Sequence, residues 1–486
     1  CTSLFGNLDP QRQRAFHLLF AAILAFIIYP NKNKGPKNVV SILDIILIAF
    51  ITIPLIYIIV NNKIILTRMF YVTPLKWYEY VLSGMLIVAL LEGSRRVVGL
   101  GLPIIAVIAL LYAFLGKHIP GNFGHSGFNY VEIFDQLVFT TEGIFGVPLG
   151  ASATFVILFI IFGAFLEKSG VAPYFMDLSS ALTMKSKGGP AKLAVVSSGL
   201  FGSVSGSAIA NVVTTGQITI PMMKKIGYRP SFAGAVEAVA STGGQIMPPV
   251  MGAAVFIMSD FTGIPYIEIV KHAILPALLY YISVFFMVHF EALKSDLGAI
   301  TDSRQSLKYL LINSYLLLPL VVIVVILIKG YSPTFACLIS MVLVLIVASI
   351  KKETRMGIKE IANALIEGAK GTLSVAMACA CAGIIVGIVN YTGLGFKFTS
   401  LLLSLADTSM LLVLVMTALA TMILGMGLPT TPAYVVVASL MVPTLVRLEV
   451  PLIAAHLFAF YFANIANITP PVALASYTAA GIADSD

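Results

Sequence analysis

The stretch STGGQIMPPVMG, residues 241–252, sets two adjacent prolines, Pro248 and Pro249, inside an apolar region of helix length. Proline in a helix interior removes a hydrogen bond and clashes with the preceding turn, at a cost of about 3 kcal/mol or more. Ser241, Thr242, Gly243, Gly244 and Gln245 stand directly before the break. A helix broken there exposes carbonyls on one side and N–H groups on the other, and the adjacent hydroxyls and amide add oxygen donors. Carbonyl and side-chain oxygens can replace the hydration shell of a small hard cation, while a half-helix N-terminus can face an anion.

The surrounding chain reads as membrane-embedded. Its 486 residues are 59% hydrophobic and 11% charged, with a mean hydropathy of +0.98, whereas soluble domains are about 25% charged. Apolar runs such as 40–60, 152–166 and 316–328 recur from end to end, on the scale of the roughly 20 residues that cross a bilayer. They do not alternate as barrel strands do. The expected fold class is therefore an all-α polytopic membrane protein, with the lipid bilayer as surroundings.

The formal charge of +8 sits in short loops such as NKNKGPK (31–37) and KKETR (351–355). These read as solvated loops near headgroups, with no nucleic-acid partner. Lysines in both of the first two loops leave orientation open by the positive-inside rule. Four cysteines, Cys379 and Cys381 among them, form neither a disulfide framework nor a metal spacing. The start at Cys1 and the end at GIADSD read as trimmed, and no cleavable signal peptide is seen. Walker A, HExxH and GxSxG patterns are missing, and GAKGT (368–372) lacks the P-loop spacing, so an enzyme and a cofactor are not expected.

Four apolar segments, roughly 15–29, 39–60, 78–91 and 97–115, make residues 1–116 a four-helix scaffold unit. A polar stretch, 117–145, reads as a loop with an interfacial helix. Residues 146–290 form one half of a larger unit, 291–368 a linker with scaffold helices, and 369–486 a second half.

The double proline recurs in NITPPVAL (467–474). Pro470 and Pro471 lie 222 positions after Pro248 and Pro249, and Pro443 lies 222 after Pro221. In the same register Val213 meets Val435, Ala233 meets Ala455, Ile246 meets Ile468, Val250 meets Val472 and Ala253 meets Ala475. Three prolines in one ungapped register point to an internal duplication. Before each first proline lies a short polar tip, GSVSGSAIAN (202–211) and GMGLPTTPAY (425–434). The expectation is two repeats, taken as inverted, each with a re-entrant hairpin (near 200–221 and 424–443) and a broken helix (near 241–250 and 463–472). Irregular backbone at membrane depth is tolerated only against protein or a water-filled cavity. Paired interrupted segments in two halves mark a transporter binding site.

Bland readings stand beside these. The small residues at 202–207 also suit close helix packing. Asn211 serves equally as a helix cap or an ion ligand. Glu237 is an intramembrane carboxylate, functional by default, or else neutral and hydrogen-bonded. Glu92, Arg95 and Arg96 form a structural charge cluster at a helix end. His456 and Tyr461 read more readily as packing groups, although Tyr461 is kept with Ser207, Gly244 and Glu237 as candidate substrate-lining residues.

The stretch 188–254, together with LLEGSRRVVGLGLPI, TTEGIFGVPLG, LGMGLPTTPAYVV and ITPPVALASY, resembles the large membrane subunit of tripartite ATP-independent periplasmic (TRAP) transporters. More narrowly it resembles the fused permeases that work with TAXI-type binding proteins, with a small-subunit-like start in the first 75 residues. The resemblance implies a sodium-driven secondary transporter of the prokaryotic inner membrane, moving as an elevator and acting as a monomeric fused permease. An extracytoplasmic TAXI-type substrate-binding protein would deliver a small organic anion of the carboxylate class. Sodium is then the coupling ion. One sodium site would comprise Ser203, Ser205, Gly206, Asn211, Thr242, Gly243, Gln245 and Pro248. The other would comprise Gly425, Gly427, Thr430, Thr431, Asn464, Asn467, Thr469 and Pro470. Many dicarboxylate and sialic acid relatives carry Asp where Asn211 stands. A passive ion or anion channel built from the same hairpins is the alternative reading, and an intramembrane enzyme a third.

Overall fold

The computed structural model describes residues 8–30, 41–298, 307–406 and 409–485. The loop at 31–37, most of the polar stretch 294–308 and both chain ends lie outside the described residues. The structure is 80% helix and has no strand among the described residues. Among the described residues, seven helices are long and apolar enough to cross a membrane.

In chain order the principal helices are α1 (Pro10–Ile28), α2 (Ile42–Thr67), α3 (Trp77–Val97), α4 (Gly101–Leu115), α5 (Ile157–Lys168), α6 (Val171–Thr183) and α7 (Gly189–Ser205). Then come α8 (Ala208–Lys225), α9 (Pro230–Gly243), α10 (Ala254–Thr262), α11 (Tyr266–Lys294), α12 (Leu318–Ile328) and α13 (Pro333–Ala348). The last are α14 (Ile358–Thr392), α15 (Leu394–Ala406), α16 (Met410–Gly425), α17 (Thr430–Arg447), α18 (Leu452–Ile465) and α19 (Leu474–Ala483). The bounds of α8 and α17 coincide under the 222-residue offset, and so do those of α9 and α18.

Two compact units emerge, each assembled from three chain segments. Residues Cys1–Val156, Phe256–Thr262 and Lys370–Ala463 form the first; Ile157–Val255, Gly263–Ala369 and Asn464–Asp486 form the second. The segments of the two units alternate along the chain for a topological reason. Most of α10, which follows the first break, belongs to the unit of the second hairpin, and α19, which follows the second break, belongs to the unit of the first.

In the first unit, α2 starts at a capping box. Ser41 Oγ accepts from Asp44 N at 3.3 Å and Asp44 Oδ2 accepts from Ser41 N at 3.2 Å. Its 26 residues span about 39 Å at 1.5 Å per residue, enough to cross the hydrocarbon core. α1, α2 and α3 pack on one another and α4 packs on α3. A buried ion pair ties two of them: Arg96 Nη1 of α3 meets Asp44 Oδ1 of α2 at 2.5 Å, and Arg96 Nε meets Glu92 Oε1 at 2.8 Å. The charge cluster read at this helix end is thus a brace between helices.

The expected interfacial helix in 117–145 is reduced to a five-residue helix, Tyr130–Phe134, running into a π turn, Asp135–Phe139. Every residue of that turn is buried. Asp135 explains why: its carboxylate pairs with Arg68 and accepts from Tyr71 N at 2.8 Å, which draws the turn into protein. Nearby, a Cβ on Gly383 of α14 would stand 2.5 Å from Gly143 O. The glycines of TTEGIFG and of α14 thus permit backbone contact.

In the second unit, α7 and α8 form a helical hairpin joined by Gly206 and Ser207. α9 packs on both arms, and α19 packs on α8 and α9.

Removing one partner of a buried pair strands a charge and costs about 3–5 kcal/mol, whereas an exposed pair is worth about 0–1 kcal/mol. Asp44→Leu is expected to lower the thermal unfolding midpoint strongly in detergent. Lys271→Ala, which breaks the exposed Lys271–Glu268 contact at 2.6 Å, is expected to leave it near wild type. Equal midpoints for the two variants would refute the brace.

Candidate functional site

The first hairpin turns where the chain needs a left-handed residue. Gly206 has φ 63°, a region that costs glycine nothing, and its N–H closes α7 by donating to Gly202 O at 3.1 Å. Ser207 then caps α8, its hydroxyl accepting from Ala210 N at 3.3 Å.

This tip lies directly on the first break. The N–H groups of Val250 and Met251 donate to Ser203 O at 3.0 and 3.2 Å. A Cβ on Gly202 would stand 2.5 Å from Gly244 Cα, and one on Gly206 would stand 2.8 Å from Met251 O. Backbone meets backbone here, so no side chain fits between.

The break is a shaped loop. After α9 ends at Gly243, a 3₁₀ turn runs over Gly244–Ile246. Gly252 N donates to Gln245 O at 2.8 Å and closes a loop holding the cis Pro248–Pro249 bond. The second break repeats the pattern, with a 3₁₀ turn at Ala466–Ile468 and a cis Pro470–Pro471 bond.

Three tyrosines of α11 satisfy carbonyls around the first break. Tyr280 OH donates to Val239 O at 2.8 Å and Tyr281 OH to Ala240 O at 2.7 Å. Tyr266 OH lies 2.8 Å from Pro249 O and 2.5 Å from Val250 O. The sequence reading passed over all three. Their signal was a Tyr-Tyr pair in an apolar run, since a buried phenol needs a partner.

The two breaks touch. Asn464 Nδ2 donates to Thr242 O at 2.8 Å across 222 positions, the offset that also separates the double prolines. Asn467 Nδ2 donates to Asn464 O at 3.2 Å, and Thr469 Oγ1 donates back to Ile465 O at 2.9 Å. Asn211, fully buried, donates through Nδ2 to Ser198 O at 2.8 Å and accepts at Oδ1 from Thr215 at 3.3 Å. It braces the hairpin arms.

Against this frame, four of the buried side-chain oxygens without a hydrogen-bond partner among the described residues lie here: Ser205 Oγ, Thr242 Oγ1, Gln245 Oε1 and Asn464 Oδ1; others, such as those of Thr52, Ser340, Thr417 and Thr421, lie elsewhere in the chain. An unsatisfied buried polar group costs about 1–3 kcal/mol. All four belong to the tip or to one of the breaks, and all are neutral oxygen donors. Among the described residues no group of three or more His, Cys, Asp or Glu could hold a metal ion.

Glu237 sits one and a half turns before the break, fully buried in α9. It accepts from Ser198 Oγ at 2.8 Å, Thr215 Oγ1 at 2.5 Å, Ser241 Oγ at 3.0 Å and from Thr219 Oγ1. The carboxylate thus fastens α7 and α8 to α9 through hydroxyls alone. Thr215 and Thr219 follow Asn211 at helical spacing, and that polar stripe on one face of α8 was the missed signal.

The other candidate residues divide between the units. Gly425, Gly427, Thr430, Thr431 and Tyr461 belong to the first, whereas Asn464, Asn467, Thr469 and Pro470 belong to the second. Gly427 turns the second tip at φ 73°, and a Cβ on Gly101 would stand 3.2 Å from its carbonyl. Thr430 and Thr431 are buried; Tyr461 is half-buried with its ring edge-on to Phe462. Ser207, Gly244 and Glu237 lie in the second unit.

Seven membrane-length helices among the described residues, with helical hairpins and paired broken helices, are consistent with a polytopic membrane protein. The chain belongs to the family described as tripartite ATP-independent periplasmic transporter, DctM component, which matches residues 85–486. The C4-dicarboxylate TRAP transporter large permease protein DctM of Pseudomonas aeruginosa is 25% identical over 321 residues, 65% of this chain and 74% of that one. The sialic acid TRAP transporter large permease protein SiaM of Vibrio cholerae is 22% identical over 331 residues, 67% and 76% of the two chains. The isethionate TRAP transporter permease protein DctMQ of Oleidesulfovibrio alaskensis is 24% identical over 422 residues, 85% of this chain and 61% of its own length.

The tip-to-break contact is testable by a single methyl group. Overpacking a tight site costs about 1–3 kcal/mol. Gly244→Ala, whose Cβ would stand 2.5 Å from Gly202 Cα, is expected to lower the unfolding midpoint, while Gly84→Ala, with nothing within 4 Å, is not. Unchanged midpoints for both would refute the close approach.

Proposed function

We propose that this chain is a sodium-coupled secondary transporter that takes up a small organic anion of the carboxylate class. An extracytoplasmic TAXI-type binding protein would deliver the anion, and the permease would sit in a prokaryotic inner membrane. The observation that carries the reading is the set of unpartnered buried oxygens on Ser205, Thr242, Gln245 and Asn464. Oxygen donors suit a hard cation, and a neutral set of this kind suits a monovalent ion that must bind and leave. Family membership and relatives named for C4-dicarboxylate, sialic acid and isethionate transport support the anion class.

In this reading the hairpins are re-entrant and the two halves are inverted repeats. The site moves across the membrane as an elevator. The coincident bounds of α8 with α17 and α9 with α18 support the repeat. Helices α1 and α2 precede the family match at residue 85. With the DctMQ relative aligned over 422 residues, they support a small-subunit-like scaffold fused to the permease.

The test is reconstitution with a binding protein of this type and a panel of carboxylates. Accumulation against a gradient is expected when sodium is high outside. Equal uptake in choline or potassium would overturn sodium coupling, and equilibration without accumulation would indicate a channel.

Replacing one ligand should shift the sodium response. Losing a buried polar partner costs about 1–3 kcal/mol, which is roughly ten- to hundredfold since 1.4 kcal/mol is tenfold. Gln245→Leu and Asn467→Leu are each expected to raise the half-saturating sodium concentration by that factor without unfolding the protein. Wild-type sodium curves for both would remove the two breaks as cation sites.

A further inference from the structure

We propose that the groove between α6, α7, α11 and α12 in the second unit is a binding site for a lipid acyl chain, with the first break forming part of its wall. The cavity measures about 760 Å³, within the roughly 300–1,000 Å³ range of ligand pockets. All its lining residues belong to the second unit.

Its chemistry excludes a polar guest. Only Ser203 and Tyr281 among the lining side chains carry a polar atom. Both hydroxyls are already engaged: Ser203 Oγ donates to Leu200 O and Tyr281 OH to Ala240 O, each at 2.7 Å. Nothing in the wall can recognise a carboxylate, a sugar or an ion. A dry apolar cavity of this kind takes an apolar ligand rather than water.

Its mouth decides which apolar ligand. Leu278, Ile282 and Phe286 of α11 and Val321 and Val325 of α12 line it and are 44–53% exposed. They lie in two of the seven membrane-length helical spans among the described residues, Tyr266–Lys294 and Lys308–Ile328, the second of which includes α12. In a bilayer their outer faces meet hydrocarbon, so the groove opens on acyl chains. The inner wall holds Met247, Pro248, Pro249 and Ser203. Ser203 O in turn holds the N–H groups of Val250 and Met251. A chain seated in the groove therefore packs on the joint between tip and break. The proposal stands independently of the ion and the substrate.

The single tryptophan of the chain makes a direct test feasible. In a Trp77→Phe background, Val324→Trp places a fluorophore in the groove wall, with Val321→Trp as a second groove position should the first not fold. Phe290→Trp, on α11 outside the groove and 61% exposed, reports ordinary lipid contact. The full chain is reconstituted in phosphatidylcholine with brominated or unbrominated acyl chains. Groove fluorescence is expected to be quenched by brominated chains as strongly as at Phe290→Trp, and to be insensitive to aqueous iodide. Groove tryptophans untouched by brominated lipid would show that protein closes the groove, and iodide quenching would show that water fills it; either result overturns the proposal.

Discussion

A broken helix away from water must find a partner for each freed backbone group, because a buried unpaired N–H or carbonyl costs as much as a lost hydrogen bond. The first break meets this demand in several ways at once. Ser203 O takes two N–H groups from its far side, Gln245 O takes Gly252 N–H, and Asn464 reaches Thr242 O. Tyr280, Tyr281 and Tyr266 supply hydroxyls to the carbonyls on either flank. The tip, α11 and the second break are thus held where they are by the chemistry of one interrupted helix. The Gly202–Gly244 contact follows from it, since two backbones bonded through Ser203 leave no room for a side chain.

Much of this was readable in the chain. Hydropathy alone established the helical class, and the proline pairs marked where helices stop: α9 ends at Gly243 and α18 at Ile465. Polar tips between apolar arms located both hairpins, because glycine and serine supply the turn and the cap. What could not be read was the partnership between segments distant in sequence. Nothing at Thr242 names Asn464 as its donor, and nothing after Pro249 says that α10 joins the unit of the other hairpin. The polar stretch 117–145 shows the same limit. Its Gly, Pro and His content suggested a loop and an interfacial helix, but nothing in it names Arg68 and Tyr71 as the partners of Asp135.

Glu237 shows how one residue type supports two readings from sequence and a narrower one from structure. An intramembrane carboxylate is a functional candidate by default. Here its oxygens accept from hydroxyls on α7, α8 and α9. Those helices are the hairpin and the segment that leads into the break. A carboxylate that accepts from hydroxyls of three helices ties the hairpin to the segment that leads into the break.

The contrast between frame and lining carries the remaining step. The backbone around the break is bonded repeatedly, while Ser205, Thr242, Gln245 and Asn464 keep oxygens without partners. Thr242 makes the point within a single residue, since its carbonyl is bonded by Asn464 and its hydroxyl by nothing described. Preorganised donors of this kind are costly to the folded protein by about 1–3 kcal/mol each. A cation bound at these oxygens would offset that cost, which is the physical reason for the sodium reading proposed above.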